Sequence, residues 1–200
     1  MSNKYDKIMM QSAILWAEQS YCIRRKVGAV LAKDGRILAT GYNGTISGQE
    51  NCCEDTYYVC EGCGHKHESL YGKDIEVESF ESSQYRGKQN NYHCKKCNHQ
   101  MASIIHRAIG NPHIIKGINP TVKTNEFTLH AEQNIITYCS KEGIATNGTT
   151  LYTTTSPCKT CAKLIAQSGI SRVVYNEDYR DTDGIDFLER VGVEVKQISL

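Results

Sequence analysis

Two short motifs constrain the fold of this 200-residue chain more than any other feature of its sequence. The first is a His-x-Glu that begins at His130, and the second is a Pro-Cys-x-x-Cys whose cysteines are Cys158 and Cys161. One imidazole and two thiolates are a donor set that zinc accepts, and a nearby glutamate stays free to move protons. The sequence therefore predicts a catalytic zinc held by the histidine and the two cysteines, with Glu132 as the acid–base residue.

The spacing within the motifs also indicates where they lie on their helices. Residues two apart do not share a helix face, so His130 and Glu132 reach one metal only from the end of a helix. Residues three apart do share a face, so the two cysteines fit a first turn, where the helix dipole favours thiolates. Pro157 suits that position because its missing N–H costs little there. We expect both motifs at helix N-termini that point toward one ion.

Composition and charge favour a compact protein of a reducing compartment. Two hundred residues can bury one substantial core, and 23 Lys and Arg against 22 Asp and Glu leave a net charge of +1. That balance argues against a generally basic surface for nucleic acid. Ten cysteines without an N-terminal signal stretch favour the cytoplasm, where paired cysteines more often hold metal than form disulfides. No apolar run approaches a membrane span, so we expect neither a membrane nor a nucleic-acid partner.

The N-terminal residues are expected to form a helix followed by a β-hairpin. Apolar residues recur at helical spacing over residues 4–20, with Trp16 expected in the core. Asp34-Gly35 is a hairpin turn between two apolar stretches, residues 27–32 and 37–40.

Two candidate ligand-binding segments flank this hairpin, although each of them, taken alone, is more typical of a turn. Three consecutive cations at positions 24–26 precede the first strand, and such a run beside a metal pocket can hold a phosphate. A Gly-Tyr-Asn-Gly-Thr segment at 41–45 follows the second strand, and its glycines let the backbone approach a ligand closely.

The stretch from about residue 52 to 127 is polar, and it carries two Cys-x-x-Cys loops, Cys60 with Cys63 and Cys94 with Cys97. Two such loops facing one another make a tetrahedral zinc site, whose binding energy compensates for a small apolar core. Zinc also accepts imidazole, so one of four nearby histidines can replace a thiolate; these are His65, His67, His93 and His99. We predict one domain over residues 1–200, with an inserted structural zinc module at about 52–127 and two zinc ions per chain.

Within this module the sequence predicts little regular structure. Residues 101–109 are expected to form a short helix that stops at Gly110-Asn111-Pro112, and residues 114–125 are expected to form a loop.

The C-terminal part alternates helices with strands. The expected helices are residues 129–140, 161–167 and 183–190, and the expected strands are residues 149–154, 171–175 and 193–198. This alternation is typical of a mixed or parallel sheet covered by helices, so the predicted fold class is α/β.

Four segments together resemble a known enzyme family. They are His-Ala-Glu-Gln-Asn at 130–134, Ser-Pro-Cys-Lys-Thr-Cys-Ala-Lys at 156–163, Gly-Tyr-Asn-Gly-Thr at 41–45 and Asn-Cys-Cys-Glu at 51–54. This combination is similar to the deoxycytidylate (dCMP) deaminases, particularly the phage and bacterial type with a zinc-bearing insertion. The resemblance covers nearly all of the chain outside the insertion, although Ile46 stands where the family has a proline.

The resemblance implies a three-layer α/β/α fold with a mixed sheet of about five strands, and a reaction that converts dCMP to dUMP and ammonia for thymidylate synthesis. It also implies a hexamer that dCTP with Mg²⁺ activates and dTTP inhibits. The catalytic residue is then Glu132. The implied substrate-binding residues are Asn43, Asn134, Arg24, Lys26 and Tyr175, and the implied effector-binding residues are Gly44, Thr45 and Asn51.

Two other functions stay open at this level. The first is deamination of a different substrate, such as a nucleoside, a tRNA adenosine or a 5-modified dCMP. The second is a nucleic-acid-binding zinc ribbon between Cys60 and Cys97 beside a degenerate deaminase core. The near-neutral charge and the intact motifs argue against this second function.

Overall fold

The structure is a computed structural model that describes residues 4–51, 53–67, 73, 75–82, 87–106, 113–116 and 121–200. It divides into two compact units, one of residues 1–54 with 125–200 and one of residues 55–124. The helices are α1 (Asp6–Ala17), α2 (Ala131–Glu142), α3 (Lys159–Gln167) and α4 (Asp183–Arg190). The strands are β1 (Gly28–Lys33), β2 (Arg36–Tyr42), β3 (Gly44–Thr45), β4 (Glu54–Val59), β5 (Lys66–His67), β6 (Ile75–Ser82), β7 (Gly87–Cys94), β8 (Gln100–His106), β9 (His113–Lys116), β10 (Thr121–Thr124), β11 (Thr128–Leu129), β12 (Thr150–Thr155), β13 (Arg172–Glu177) and β14 (Glu194–Gln197). Among the described residues, no helix has both the length and the apolar character needed to cross a membrane.

A mixed five-stranded sheet in the order β14-β13-β12-β1-β2 forms the middle layer of the first unit. β1 is antiparallel to β2 and β12, whereas β12, β13 and β14 run parallel. Alternate residues of β1 point to opposite faces: Ala29 and Leu31 pack with α2, α3 and α4, and Val30 and Ala32 pack with α1. The three-layer α/β/α fold and the five-strand sheet that the resemblance implied are therefore confirmed.

Several chain segments meet at one edge of this sheet, which we call the β12–β13 edge because Thr155 and Glu177, the last residues of these parallel strands, lie there. β1 is antiparallel to β12 and begins at the same edge, where the Gly28 N–H donates to Thr154 Oγ1 at 3.2 Å. β2 ends there too, since Tyr42 pairs with Gly28. The segments before β1 and after β2, β12 and β13 are thus brought together, at the kind of edge where open α/β sheets bind ligands.

Helix α1 is fixed to the sheet by a buried carboxylate and by close packing. Asp6 accepts two hydrogen bonds from the Arg172 guanidinium, at 2.8 and 2.9 Å, and one from the Tyr152 hydroxyl at 3.0 Å. A side chain at Gly28 would collide with the α1 backbone. The prediction that Trp16 lies in the core is wrong, because the indole is 39% exposed and stacks against Tyr42 on the surface of the unit.

The second unit consists of a three-stranded sheet in the order β10-β4-β5 and a four-stranded sheet in the order β6-β7-β8-β9. Among the described residues of this unit, the apolar core is small; it consists of Cys60, Ile75, Tyr92, Cys94, Met101 and Ala102. The unit lies within the stretch from 52 to 127 that we predicted as an insertion.

Two sequence predictions in this unit are wrong. The helix predicted from Met101 to Ile109 is strand β8 over its described part, which ends at His106, and Gly110-Asn111-Pro112 lies outside the described residues. The stretch predicted as a loop from 114 to 125 contains strands β9 and β10. β8 lies between β7 and β9, and this tertiary pairing overrides the weak preference of a short apolar run.

Candidate active site and metal centres

The helices α2 and α3 both begin at the metal-binding motifs. His130 caps the N-terminus of α2 in an extended conformation, and Cys158 caps α3 in the same way. The Gln133 side chain accepts the His130 N–H at 2.8 Å and so fixes the first turn of α2. The prediction that both motifs lie at helix N-termini is confirmed.

The three predicted ligands of the catalytic metal converge. His130 Nδ1 lies 3.6 Å from Cys158 Sγ and 3.4 Å from Cys161 Sγ. A tetrahedral zinc with its usual bond lengths separates nitrogen and sulfur ligands by roughly 3.5 Å. The donor set therefore fits zinc in both chemistry and spacing, and it leaves one of four coordination positions for water or substrate.

Glu132 lies in the first turn of α2 and is only 4% exposed. Burial raises the pKa of this carboxyl group, whose side chain also interacts with Cys161. A hydrogen bond from Cys161 and another from His130 lower the pKa of Cys158 to about 3, against the opposing effect of burial. The cluster thus combines a thiolate with a buried carboxyl group that can exchange protons.

The approach of α4 to this cluster depends on one small residue. A side chain at Gly184 would collide with the backbone of Pro157 and Cys158. Only glycine lets the first turn of α4 pack directly against the cysteine motif.

The second unit contains a cluster of four sulfur atoms. Cys60 and Cys97 lie 3.5 Å apart, Cys63 and Cys94 lie 3.8 Å apart, and all four sulfurs lie within 4.8 Å of one another. Tetrahedral zinc separates two thiolates by roughly 3.8 Å, so the four cysteines fit one closed zinc site.

The two loops of this cluster share one backbone geometry. Cys60 O accepts the Gly64 N–H and Cys94 O accepts the Asn98 N–H, both at 2.7 Å. Gly64 and Asn98 are both left-handed, with φ of 69° and 58°. In the first loop, a hydrogen bond from the His65 N–H lowers the pKa of Cys63 to about 7. The described four-ligand group contains no histidine.

A loop after β13 borders the catalytic cluster, and our sequence analysis did not identify it. The Tyr179 N–H donates to Ser156 Oγ at 2.7 Å, immediately before the Pro-Cys-x-x-Cys motif. The pKa of His130 is raised mainly by its hydrogen bond with Cys158, and the positive charge of Arg180 acts in the opposite direction. No motif marks this loop, but the predicted alternation of strands and helices offered a clue, since parallel neighbours end at one edge.

The Asn43 side chain holds the segment that leads into β1. Its Oδ1 accepts the Val27 N–H at 2.7 Å, and its Nδ2 donates to Arg25 O at 2.9 Å. The Asn134 side chain donates to Tyr42 O at 2.9 Å, one residue before Asn43. Both predicted substrate residues therefore shape the loops beside the cluster.

Each of the other three predicted substrate residues makes contacts of its own. The Lys26 ammonium donates to Glu18 O at 3.3 Å, just beyond the end of α1. The Arg24 N–H donates to the Glu54 carboxylate at 3.2 Å. Tyr175 is 7% exposed, and burial raises the pKa of its hydroxyl, with a further contribution from Asp178.

The three predicted effector residues line one pocket of about 600 Å³. Gly44, Thr45 and Asn51 share this pocket with Asn134 and Lys141 of α2. The same helix carries Glu132 in its first turn, so α2 connects the pocket with the catalytic cluster.

A disulfide joins Cys22 to Cys53 near this pocket. We expected the cysteines to be reduced or metal-bound, and no sequence pattern distinguished this pair, whose members lie 31 residues apart. The Glu54 carboxylate reinforces the link by accepting the Ile23 N–H at 3.0 Å. Cys52 of the Asn-Cys-Cys-Glu segment lies outside the described residues.

Comparison with known proteins agrees with this geometry. The family model for the cytidine and deoxycytidylate deaminase zinc-binding region matches residues 3–80 and 78–177. The deoxycytidylate deaminase of Enterobacteria phage T2 is 36% identical over 192 residues, which cover 94% of this chain and 88% of that protein. The deoxycytidylate deaminase of Mycobacterium phage D29 is 30% identical, covering 87% of this chain and 95% of that protein.

A solved structure shares the whole fold. The dCMP deaminase from the cyanophage S-TIM5, crystallised in complex with dCMP and dUMP, is 31% identical with a TM-score of 0.62, and the match covers 99% of both chains. Together with the paired helix termini and their histidine and cysteines, these matches show that the chain belongs to the cytidine and deoxycytidylate deaminase family.

Proposed function

We propose that this chain catalyses the zinc-dependent hydrolysis of dCMP to dUMP and ammonia. The observation that carries the proposal is the convergence of His130, Cys158 and Cys161 beside the buried carboxyl group of Glu132. Such a three-ligand site with an open position is typical of catalytic zinc. The similarity to a dCMP deaminase crystallised with dCMP and dUMP supports this substrate.

In this proposal Glu132 carries the protons of the reaction. Zinc, when bound by the three ligands, supplies Lewis acidity at its open position. Glu132 accepts a proton from the attacking water and delivers it to N3 of cytosine, which makes C4 electrophilic. The water oxygen adds to C4, and Glu132 then passes a second proton to the departing amine. One water is consumed, and the products are dUMP and ammonia.

The substrate site is proposed to lie at the β12–β13 edge. Asn43 and Asn134 shape its loops through their hydrogen bonds, and we propose Arg24, Lys26 and Tyr175 as further residues that surround the nucleotide. The fixed loops would hold the cytosine ring against the reacting groups. Such positioning lowers the activation barrier of the reaction.

The pocket lined by Gly44, Thr45 and Asn51 is the proposed effector site. We propose that dCTP with Mg²⁺ activates the enzyme there, that dTTP inhibits it, and that the assembly is a homohexamer. The supporting observations are the pocket of about 600 Å³, its cation Lys141, and the position of α2 between the pocket and Glu132. An effector that favours one position of α2 would change the placement of Glu132.

The module at about 52–127 is proposed to be structural. Four cysteines fill every position of a tetrahedral site, which leaves no place for water or substrate. The chain would then carry two zinc ions, one catalytic and one structural. The product dUMP would serve thymidylate synthesis in the cytoplasm, or in the host cytoplasm if a phage encodes the chain.

The test is a comparison of kcat/KM on dCMP, 5-methyl-dCMP, deoxycytidine and a tRNA anticodon stem-loop, with ammonia release as the common readout. We expect dCMP to exceed deoxycytidine and the RNA by at least about a hundredfold. A higher kcat/KM on the RNA or the nucleoside would refute dCMP as the substrate. Salt-dependent binding of single-stranded DNA without any ammonia release would instead favour the zinc-ribbon alternative.

A further inference from the structure

We infer that Arg25 and Arg180 bind the 5′-phosphate of the substrate and so determine the preference for a nucleotide over a nucleoside. This inference rests on the proposed function. It selects Arg25 from the run of three cations and adds Arg180, which the sequence motifs did not identify. Both lie at the β12–β13 edge, one in the segment before β1 and the other in the loop after β13.

A hydrogen bond to the backbone of Arg25 fixes the position of this residue. Asn43 Nδ2 donates to Arg25 O at 2.9 Å, which fixes the peptide just before β1. The guanidinium extends across to the loop after β13, where its Nη1 donates to Asp178 O at 3.3 Å. Of the three consecutive cations, Arg25 therefore reaches the loop beside the cysteine motif, whereas the Lys26 ammonium donates to Glu18 O.

Arg180 is held close to the catalytic cluster by the same loop. The neighbouring Tyr179 N–H donates to Ser156 Oγ, and the Ser156 N–H donates to Glu177 O at 2.8 Å, so the loop is tied to the start of the cysteine motif. The Arg180 guanidinium lies over the ring of Tyr179, with its Cζ 5.2 Å from the ring centroid. Two guanidinium groups thus lie at one loop beside the cluster.

Charge and hydrogen bonding favour a phosphate as the partner of this pair. A guanidinium donates two parallel hydrogen bonds to phosphate oxygens, and two guanidinium groups can balance the double charge of a phosphate monoester. Arg180 Nε pairs with Asp181 at 3.5 Å, with side chains 80% and 44% exposed. Such an exposed pair contributes little to stability, so Arg180 can exchange this partner for a phosphate at low cost. The contact of Arg25 with Asp178 is to the backbone oxygen and not to the carboxylate.

The experiment compares Arg25→Gln, Arg180→Gln and the double variant with a matched control, Arg36→Gln. Arg36 is exposed and begins β2 at the opposite end of the hairpin. Loss of a hydrogen bond to a charged group predicts a fall in kcat/KM for dCMP of roughly tenfold in each single variant and more in the double variant. We expect deoxycytidine deamination to change less than about threefold in every variant, because the nucleoside lacks the phosphate. The control should retain the parental values on both substrates.

Binding of dUMP and deoxyuridine, measured by calorimetric titration on the same proteins, separates failure of this inference from failure of the proposed function. If the parent released no ammonia from either substrate, the proposed reaction would be refuted, while a selective loss of dUMP binding would still support the phosphate site. An equal loss on phosphorylated and unphosphorylated ligands would overturn the inference and indicate a role in loop structure. Parental kcat/KM on dCMP in the double variant would overturn it as well.

Discussion

Glu132 shows how a single position at a helix end combines burial with access to the metal ligands. Because it lies two residues after the N-terminal cap His130, its side chain is directed to the end of α2 and not to one of its sides. It is 4% exposed and interacts with Cys161. A carboxyl group in this position can exchange protons with a reacting molecule while bulk water is excluded.

Replacement of Glu132 by glutamine tests this role directly. Glutamine keeps the shape of the side chain but cannot carry protons, so kcat should fall by at least about a thousandfold. Zinc content and dUMP binding should stay at parental values. Turnover within tenfold of the parent would remove Glu132 from the chemistry.

At the residue scale, the spacing of residues within the two motifs predicted the ligands of the proposed catalytic zinc. This was possible because zinc restricts both the type of its ligand residues and their separation in the chain. His130, Cys158 and Cys161 converge as expected. Arg180 was not predicted, because it approaches the cluster through the order of the strands and not through any local motif. The disulfide between Cys22 and Cys53 was missed for the same reason, since tertiary structure alone brings the two residues together.

Among the secondary-structure elements, α1 is joined to the sheet by the buried carboxylate of Asp6, which pairs with Arg172 and with Lys196. Asp6 is 2% exposed, and the Arg172 guanidinium binds both of its carboxylate oxygens. Arg172 is the first residue of β13, so this pair connects the start of the first helix with the sheet.

The variant Asp6→Asn should destabilise the first unit strongly. It removes the negative charge that pairs with both Arg172 and Lys196, and it leaves Arg172 paired with the more exposed carboxylate of Glu194. Loss of one partner of a buried ion pair typically costs about 3–5 kcal/mol. Urea unfolding should show this loss, while Asp183→Asn, which removes an exposed pair with Lys159, should cost no more than about 1 kcal/mol. A similar small loss in both variants would contradict the importance of the buried pair.

The elements of the first unit were predictable and those of the second were not, for a physical reason. Apolar residues recur with a clear strand or helix period where one face of the element packs on a large core. Helix α4 is an example, since it was predicted with its observed limits, Asp183–Arg190. In the second unit Met101 and Ala102 are buried in a small core around cysteines, and strand pairing decides the structure of β8. A short apolar run of this kind does not distinguish helix from strand.

For the whole molecule, the proposed regulation would depend on the proposed effector pocket and on the proposed assembly. We expect sedimentation to show a hexamer, and we expect turnover to rise with dCTP and Mg²⁺ and to fall with dTTP. Lys141→Gln removes the cation of the pocket, so half-activation should need roughly tenfold more dCTP, whereas the exposed Lys7→Gln on α1 should behave as the parent. A monomer whose turnover ignores both triphosphates would contradict the proposed regulation.

The different roles proposed for the two groups of metal ligands also concern the whole molecule. The catalytic cluster has three protein ligands and the other has four, so we expect two zinc ions per chain by metal analysis of the native protein. The described part of the second unit has a small apolar core, so loss of the proposed structural zinc should lower the melting temperature.

The rate of dCMP deamination per native chain, measured side by side in Cys161→Ser and Cys94→Ser, tests the proposed enzyme most directly. Each variant removes one thiolate from one cluster, and zinc content and melting temperature are recorded on the same samples. We expect Cys161→Ser to lose at least about a thousandfold in turnover, because the reacting centre loses a ligand. We expect the native fraction of Cys94→Ser to convert dCMP at close to the parental rate, with a lower melting temperature. Parental turnover in Cys161→Ser would contradict a catalytic zinc at His130, Cys158 and Cys161. Abolished turnover in a Cys94→Ser protein of unchanged stability would contradict a purely structural role for the four-cysteine site.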